Sequence, residues 1–267
     1  MNNLIKRVLV AIIGIPLLVY VFKVGNLPLL FFTILLSGLT SFELRNMFAN
    51  KNIMVPREII LFNMVLTAIS AIYPMFSFLF LFLSFLYFTG KNLFNDDLNG
   101  AISRLSGALF ILIYSGTFLA FIFRIHSLHF GANYLLLLIS LIWIADSFAY
   151  FLGMSIGKHR GIFKVSPKKS IEGFISGFVF AAISGFLAYK FFPHQFDKAG
   201  IITAVIVAGI FGQFGDLTES LLKRDCGVKD SSAIIPGHGG ILDRFDSLII
   251  SAPLFYLIMK LIARFYH

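Results

Sequence analysis

Two pairs of carboxylates with equal spacing stand near the C-terminal end of this chain. Asp216 and Glu219 are three residues apart, and so are Asp243 and Asp246. On a helix that spacing puts both side chains on one face. Two such faces, brought together, offer an all-oxygen site to a hard cation. Mg2+ fits: it takes one or two carboxylates and keeps water and substrate phosphates as its other ligands. Cations lie among the same residues, at Lys223, Arg224 and Arg244. Carboxylates beside cations make chemical sense when the first hold metal and the second hold phosphate. Between the pairs runs Pro236-Gly-His238-Gly239-Gly240. It cannot be regular helix, and its glycines let backbone amides approach a ligand closely. A salt-bridged loop between helices is the alternative, but it leaves the matched spacing at two helix ends unexplained.

Two further groups lie upstream. The stretch Ser166-Pro-Lys168-Lys169-Ser170-Ile-Glu172-Gly173 contains a proline that disfavours helix at Ser166, so a helix is expected to start near there. Lys168 and Lys169 then sit at or near a helix N-terminus, where backbone donors and two ammonium groups suit a phosphate; Ser166 and Ser170 belong to the same phosphate-binding set. Taken alone, the stretch also reads as a basic cluster that only sets membrane topology. Asp146 interrupts an apolar run that begins at Tyr134. A carboxylate at the centre of a bilayer costs about 2.5–3.5 kcal/mol on insertion scales and usually marks a pathway or a site. A hydrated helix end, or a packing pair with a neighbouring span, is the alternative for Asp146. Cys226 is the single cysteine. It excludes an intramolecular disulfide and reads as incidental rather than nucleophilic.

These groups need a scaffold, and the composition says which kind. Hydrophobic residues make up 58% of the 267 and charged ones 13%, against about 45–50% and about 25% in a soluble domain. The 33 phenylalanines fall partly in runs such as Phe76 to Phe85, apolar on every side and suited to lipid or deep burial. The expected fold is all-α, a polytopic integral membrane protein. Spans of about 20 apolar residues are marked at about 5–22, 27–48, 59–73, 75–89, 105–123, 133–152, 174–192, 199–215 and 247–264, about nine transmembrane helices. The third and fourth are short and separated by Pro74, and a broken helical hairpin is the alternative there. The first follows Lys6-Arg7 without a small-x-small cleavage site and is expected to be retained as a span.

Charge orients the spans. With the N-terminus inside, only Lys23, Arg124, Lys190, Lys198, Lys260 and Arg264 of the 22 lysines and arginines fall outside, leaving 16 on the inner side, as the positive-inside rule requires. Of the 13 acidic residues, 11 fall on the inner side; Asp197 lies outside and Asp146 within a span. The net charge of +9 is explained by this bias and by anionic headgroups, so no nucleic acid is invoked. Residues 1–130 are chemically quiet transmembrane helices. Residues 131–267 hold the polar groups and are expected to form a catalytic region facing the cytoplasm.

The run Ser220-Leu-Leu-Lys223-Arg224, Lys229-Asp230, Pro236-Gly-His238-Gly-Gly-Ile-Leu-Asp243-Arg244-Phe-Asp246 resembles the signature of the phosphatidate cytidylyltransferases, also called CDP-diacylglycerol synthases. Ser166 to Gly173, Gly215-Asp216 with Glu219-Ser220, and the Trp143 to Tyr150 span fit the same family. Ser170 stands where threonine is often expected, which keeps the hydroxyl. The resemblance implies that CTP and phosphatidate give CDP-diacylglycerol and pyrophosphate, in a bacterial inner membrane, with Mg2+ and a second cation as an open question, and with a homodimer among membrane lipids. It also implies roles. Asp216 and Asp243, then Glu219 and Asp246, would hold metal. Lys168, Lys169, Lys223, Arg224 and Arg244 would bind phosphates, with Gly239 and Gly240 offering amides. His238 would hydrogen-bond a phosphate or the leaving group, and Asp146 would orient a basic residue or join the metal shell.

Two other classes compete. One is a different membrane lipid enzyme, either a CTP-dependent lipid kinase or a CDP-alcohol phosphotransferase. The D-x2-D-G-x2-A-R pattern of the latter is not found here. The other is an ion-coupled transporter built on Asp146. Transporter sites favour the bilayer midplane and paired halves of the chain, whereas these charges gather at one interface in one half.

Overall fold

The computed structural model describes residues 3–95, 97–235, 237 and 239–265, with side chains from residue 8 onward. Among these residues all regular elements are helices: α1 Asn3–Val24, α2 Asn26–Ala49, α3 Ile59–Ile72, α4 Pro74–Leu93, α5 Ala101–His126, α6 Gly131–Ile156, α7 Ile171–Phe191, α8 Lys198–Asp225 and α9 Leu242–Phe265. Every apolar segment marked in the sequence is helical. Seven are long and apolar enough to cross a membrane, while α3 and the apolar part of α1, Val8–Val24, are shorter. Pro74 opens α4 as a tight 3-10 turn, the position where its missing N–H costs nothing. α8 runs ten residues beyond its apolar stretch. Its polar end carries Asp216 and Glu219, with Lys223 and Arg224 in the last turn, where cations match the helix dipole. Gly227, at φ 70°, then ends it, with Val228 N donating to Lys223 O (2.9 Å) and Gly227 N to Arg224 O (3.2 Å), a left-handed C-terminal cap.

Packing divides the chain into two compact units, Met1–Arg124 with Lys223–Arg244, and Ile125–Leu222 with Phe245–His267. In the first, α2 buries Thr33, Ser37, Thr40 and Ser41, and each hydroxyl donates to a carbonyl one turn back. That is how a hydroxyl survives in a helix without water. Asn63 of α3 donates to Ser37 O (3.0 Å) and Ser115 Oγ (3.1 Å). Ser115 lies in a π-helical turn of α5, Leu112–Thr117. α4 leaves Phe78, Leu79, Phe82 and Leu83 exposed, a surface that suits hydrocarbon and not water.

In the second unit, α6 and α7 pack along their lengths through small residues. A Cβ on Gly173 would come within 2.6 Å of Ala149 O, and one on Gly177 within 2.8 Å of Ala145 O. Small residues let membrane helices approach this closely, and Phe148 stacks on Phe180 beside them. α8 has its own π-helical turn, Val207–Gly212. α8 meets α9 at Gly215, where a Cβ would lie 2.7 Å from Asp246 O and from Ser247 Cα. At the far end Asp197 caps α8, accepting from Gly200 N (2.6 Å) and from the Tyr134 hydroxyl (2.7 Å).

Gly173→Val is expected to lower stability by about 1–3 kcal/mol, because it must push the Ala149 carbonyl away. Gly14→Ala, where a Cβ meets nothing within 4 Å, is expected to cost nothing. Thermal unfolding of the two purified variants in detergent, against the parent, checks both.

Candidate functional site

α7 starts at Ile171, later than Pro167 suggested. Ser170 is extended (φ −120°, ψ 157°), and its Oγ accepts from Gly173 N at 3.1 Å, so the serine is the N-cap. Before it Lys169 N donates to Ser166 O (3.0 Å), closing a turn. Lys168 and Lys169 therefore stand just before the helix N-terminus, near it as the sequence suggests, and the Ser170 hydroxyl is engaged in capping. The loop is tied at both ends. Arg160 donates to the carbonyls of Gly153 (2.9 Å), Met154 (3.1 Å) and Gly157 (3.1 Å), satisfying the end of α6. Glu172 accepts from His159 N (3.2 Å) and lies 2.6 Å from His159 Nδ1. Two lysines are thus carried on a short, anchored segment.

That segment borders a cavity of about 350 Å³, lined by Asp146, Tyr150, Met154, Phe163, Ser166, Lys168, Lys169, Ser170, Gln213 and Asp216 among others. The wall mixes ammonium, hydroxyl and carboxylate groups with aromatic and aliphatic ones. Lys169 pairs with Asp216. Both side chains are about a third exposed, so the pair is screened and open to exchange for another charged partner. Gln213 is buried. Its Nε2 donates to Gly209 O (2.5 Å), inside the π turn, and to Phe174 O (3.1 Å), so a side chain satisfies polar backbone where the regular ladder is interrupted.

Asp216, Glu219 and Asp246 each offer an oxygen, and these atoms lie within 4.8 Å of one another. Glu219 is buried and the other two are half-buried. The close contact of α8 with α9 at Gly215 brings the two helices' carboxylates together. Three carboxylates at this separation repel, and a bound cation relieves the repulsion. The donors are all oxygen, which suits a hard cation such as Mg2+ or Ca2+. Asp216 belongs both to this group and to the cavity wall.

Asp243, expected as a metal ligand, has its two oxygens engaged by protein donors. It accepts from Lys223 Nζ (2.6 Å), Ser231 N (3.1 Å), Ser231 Oγ (3.0 Å) and Gly240 N (2.7 Å). Both members of the Lys223–Asp243 pair are largely buried, at 14% and 7% exposure. Lys223, expected on a phosphate, is here its countercharge, and the Gly240 amide is committed to the same carboxylate. Gly239, at φ 85°, adopts a backbone that glycine alone takes readily. Arg224 ends α8 and Arg244 lies in the first turn of α9. His238 lies outside the described residues.

One residue escaped the sequence reading. Glu43 of α2 is fully buried and accepts from Ser231 Oγ, Ser232 Oγ, Ile241 N and Leu242 N at 2.5–3.0 Å. The signal was available, since an acid inside an apolar span is the feature that singled out Asp146.

A polytopic helical protein that sets three convergent carboxylates beside a lysine-lined cavity is built as a membrane enzyme for phosphate-bearing substrates. Residues 5–262 match the Cytidylyltransferase family, and the chain belongs to it. It is similar to a protein of Bacillus subtilis (strain 168) named phosphatidate cytidylyltransferase, 33% identical over 276 residues that cover 98% of this chain and 99% of the relative. A protein of the same name from Thermotoga maritima is 40% identical over 190 residues, covering 67% and 69%. Another, from Staphylococcus saprophyticus, is 30% identical over 263 residues, covering 95% and 98%. The chain is therefore a bacterial membrane nucleotidyltransferase, and neither a lipid kinase, a CDP-alcohol phosphotransferase nor a transporter has support.

Asp216→Asn keeps the size of the side chain and removes its charge. Mn2+ binding to the purified protein, followed by electron paramagnetic resonance, is expected to weaken about tenfold or more, a loss of about 1.4 kcal/mol. Asp197→Asn keeps a capping oxygen and is expected to bind Mn2+ as the parent does. Unchanged affinity in Asp216→Asn removes that residue from the cation site.

Proposed function

We propose that this chain transfers the CMP unit of CTP to phosphatidate, releasing pyrophosphate and leaving CDP-diacylglycerol in the membrane. What carries this conclusion is Asp216, at once one of three convergent carboxylates and part of the cavity wall that holds Lys168 and Lys169. A phosphate ligand and a cation would meet at that residue. The names of the relatives supply the two substrates.

The phosphate monoester of phosphatidate is already anionic, so its attack on the α-phosphorus of CTP needs no strong general base. The new P–O bond forms as the α–β bridge breaks on the opposite side, and the electron pair leaves with pyrophosphate. The obstacle is the mutual repulsion of two polyanions, so the protein's task is charge neutralisation and alignment. Lys168 and Lys169 draw and hold a phosphate, with the Ser166 hydroxyl beside them. Asp146, in the same wall, orients the ammonium groups. Lys223, Arg224 and Arg244, the Gly239 amide, and His238 are assigned to phosphates, with Lys223 held by Asp243 and the Gly240 amide kept on that same carboxylate. Asp216, Glu219 and Asp246 are the residues that would hold Mg2+. Bound there, Mg2+ would neutralise charge on the reacting phosphates.

The site faces the cytoplasm across a bacterial inner membrane in this proposal, on the strength of the lysine and arginine distribution. A homodimer is part of the same proposal and rests on the family resemblance.

Purified protein in mixed micelles is expected to release pyrophosphate only when CTP, phosphatidate and Mg2+ are all present. Substantial turnover in excess EDTA, or without phosphatidate, counts against the assignment. A cysteine introduced as Lys229→Cys is expected to react with a membrane-impermeant maleimide only in inside-out vesicles, and labelling of intact spheroplasts reverses the topology. The native thiol gives little background. Cys226 is 6% exposed, and burial, aided by the Asp225 carboxylate, pushes it above the usual thiol range.

A further inference from the structure

We infer that Glu43 is a positioning residue for nucleotide binding, holding both ends of the glycine-bearing segment 231–242 from within α2. The inference rests on the proposed function, in which the glycine-bearing part of that segment and the cations flanking it, Lys223, Arg224 and Arg244, serve the nucleotide's phosphates. Glu43 has no exposed surface, so all its partners come from protein. Each oxygen takes one hydroxyl and one amide. Oε1 accepts from Ser232 Oγ (2.5 Å) and Ile241 N (2.8 Å), and Oε2 accepts from Ser231 Oγ (3.0 Å) and Leu242 N (2.7 Å). One carboxylate therefore gathers residues 231 and 232 at one end of the segment and 241 and 242 at the other.

The two amides are not arbitrary donors. Ile241 and Leu242 stand at the start of α9, where a helix has N–H groups without intrahelical acceptors and favours negative charge. Helices commonly meet that need with their own capping residue. Here a different helix supplies it, from a position about 200 residues away in sequence. Ser231 Oγ also lies 3.0 Å from Asp243 Oδ2, so the cluster continues into the Lys223–Asp243 pair. Gly240 completes it: a Cβ there would overlap Ser231 Oγ and come within 2.7 and 2.8 Å of the two Glu43 oxygens. Between the fixed ends, Ile235 N donates to Gly239 O (2.9 Å), and Gly237 and Gly239 take φ 79° and 85°. An apolar residue at 43 could pack α2 as well. What a carboxylate adds is a hold on Ser231 and Ser232 at one end of the segment and on Ile241 and Leu242 at the other.

Glu43→Gln tests the inference. The amide keeps the shape and one accepting oxygen, but its NH2 cannot accept, so either Ile241 N or Leu242 N loses its acceptor and the start of α9 is held less firmly. The full chain in lipid nanodiscs is assayed for KM of CTP, KM of phosphatidate, kcat, and hydrogen exchange over 231–242. The expected result is a KM for CTP raised about tenfold or more, as befits the loss of a hydrogen bond to a charged group, with KM for phosphatidate unchanged and faster exchange in the segment. Gly240→Ala is expected to give the same pattern, and Glu43→Asp to restore part of the CTP affinity. A merely structural role would lower kcat through a smaller active fraction and move neither constant. Unchanged KM for CTP, or equal effects on both constants, overturns the inference. Should Glu43→Gln fail to fold, Ser231→Ala combined with Ser232→Ala removes the two hydroxyl donors and is read in the same way. If the parent protein shows no CTP-dependent turnover, the proposed function fails separately. Hydrogen exchange then decides whether Glu43 holds the segment, and unaltered exchange in the variant overturns that too.

Discussion

The interior of a bilayer holds no water, so each polar group this chain carries there must find its partner within the protein. The hydroxyls of α2 return to carbonyls one turn back. Asn63 reaches Ser37 O and Ser115 Oγ, and Gln213 satisfies Gly209 O in the π turn of α8. The same constraint governs the ionised groups. Glu43 and Asp243 are buried, and each is surrounded by donors. Asp216 and Lys169 stay partly exposed and pair with each other. A membrane enzyme of polyanions needs many charges near a medium that rejects them, and the structure places each charge by what its neighbours can offer.

The carboxylates accordingly fall into two kinds that a sequence does not separate. Asp216, Glu219 and Asp246 turn oxygens toward one another, an arrangement that makes sense around a cation. Glu43 and Asp243 turn oxygens toward amides, hydroxyls and an ammonium group, an arrangement that fixes backbone. Asp243 and Asp246 have the spacing of a pair, yet they face different neighbours. The partners of an acid, more than its spacing, decide its task.

Much of the scaffold was legible. Apolar runs give helices directly, because a long apolar segment has only one way to satisfy its backbone in lipid. The three-residue spacing of Asp216 and Glu219 placed both on one face, and Asp246 joins them. The start of α7 was misjudged because Pro167 and Ser170 compete as signals and the hydroxyl cap prevails. Hydropathy marks the end of the apolar part of α8 near Gly215, while the helix itself continues to Asp225, as the spacing of Asp216 and Glu219 requires. Glu43 is flagged in the sequence only as an acid inside an apolar span. Its four donors come from residues 231 to 242, so α2 alone marks the residue without naming its partners.

The π-helical turn in α8 has an evolutionary consequence. Such a turn accommodates one residue more than an α-helix would over the same rise. Each residue of an α-helix advances it by about 100°. A residue added or lost in a regular stretch therefore turns everything after it, whereas the turn at Val207–Gly212 takes up its extra residue locally. Removing a single codon from the turn would let the helix relax to regular winding with Asp216 and Glu219 still facing Asp246. Removing one from the regular helix between the turn and Asp216 would swing both carboxylates about a quarter-turn away, with every side chain of the group still encoded. The turn is thus the place in α8 where a change of length is tolerated, and outside it the reading frame of the helix is inherited as strictly as the acids it aims.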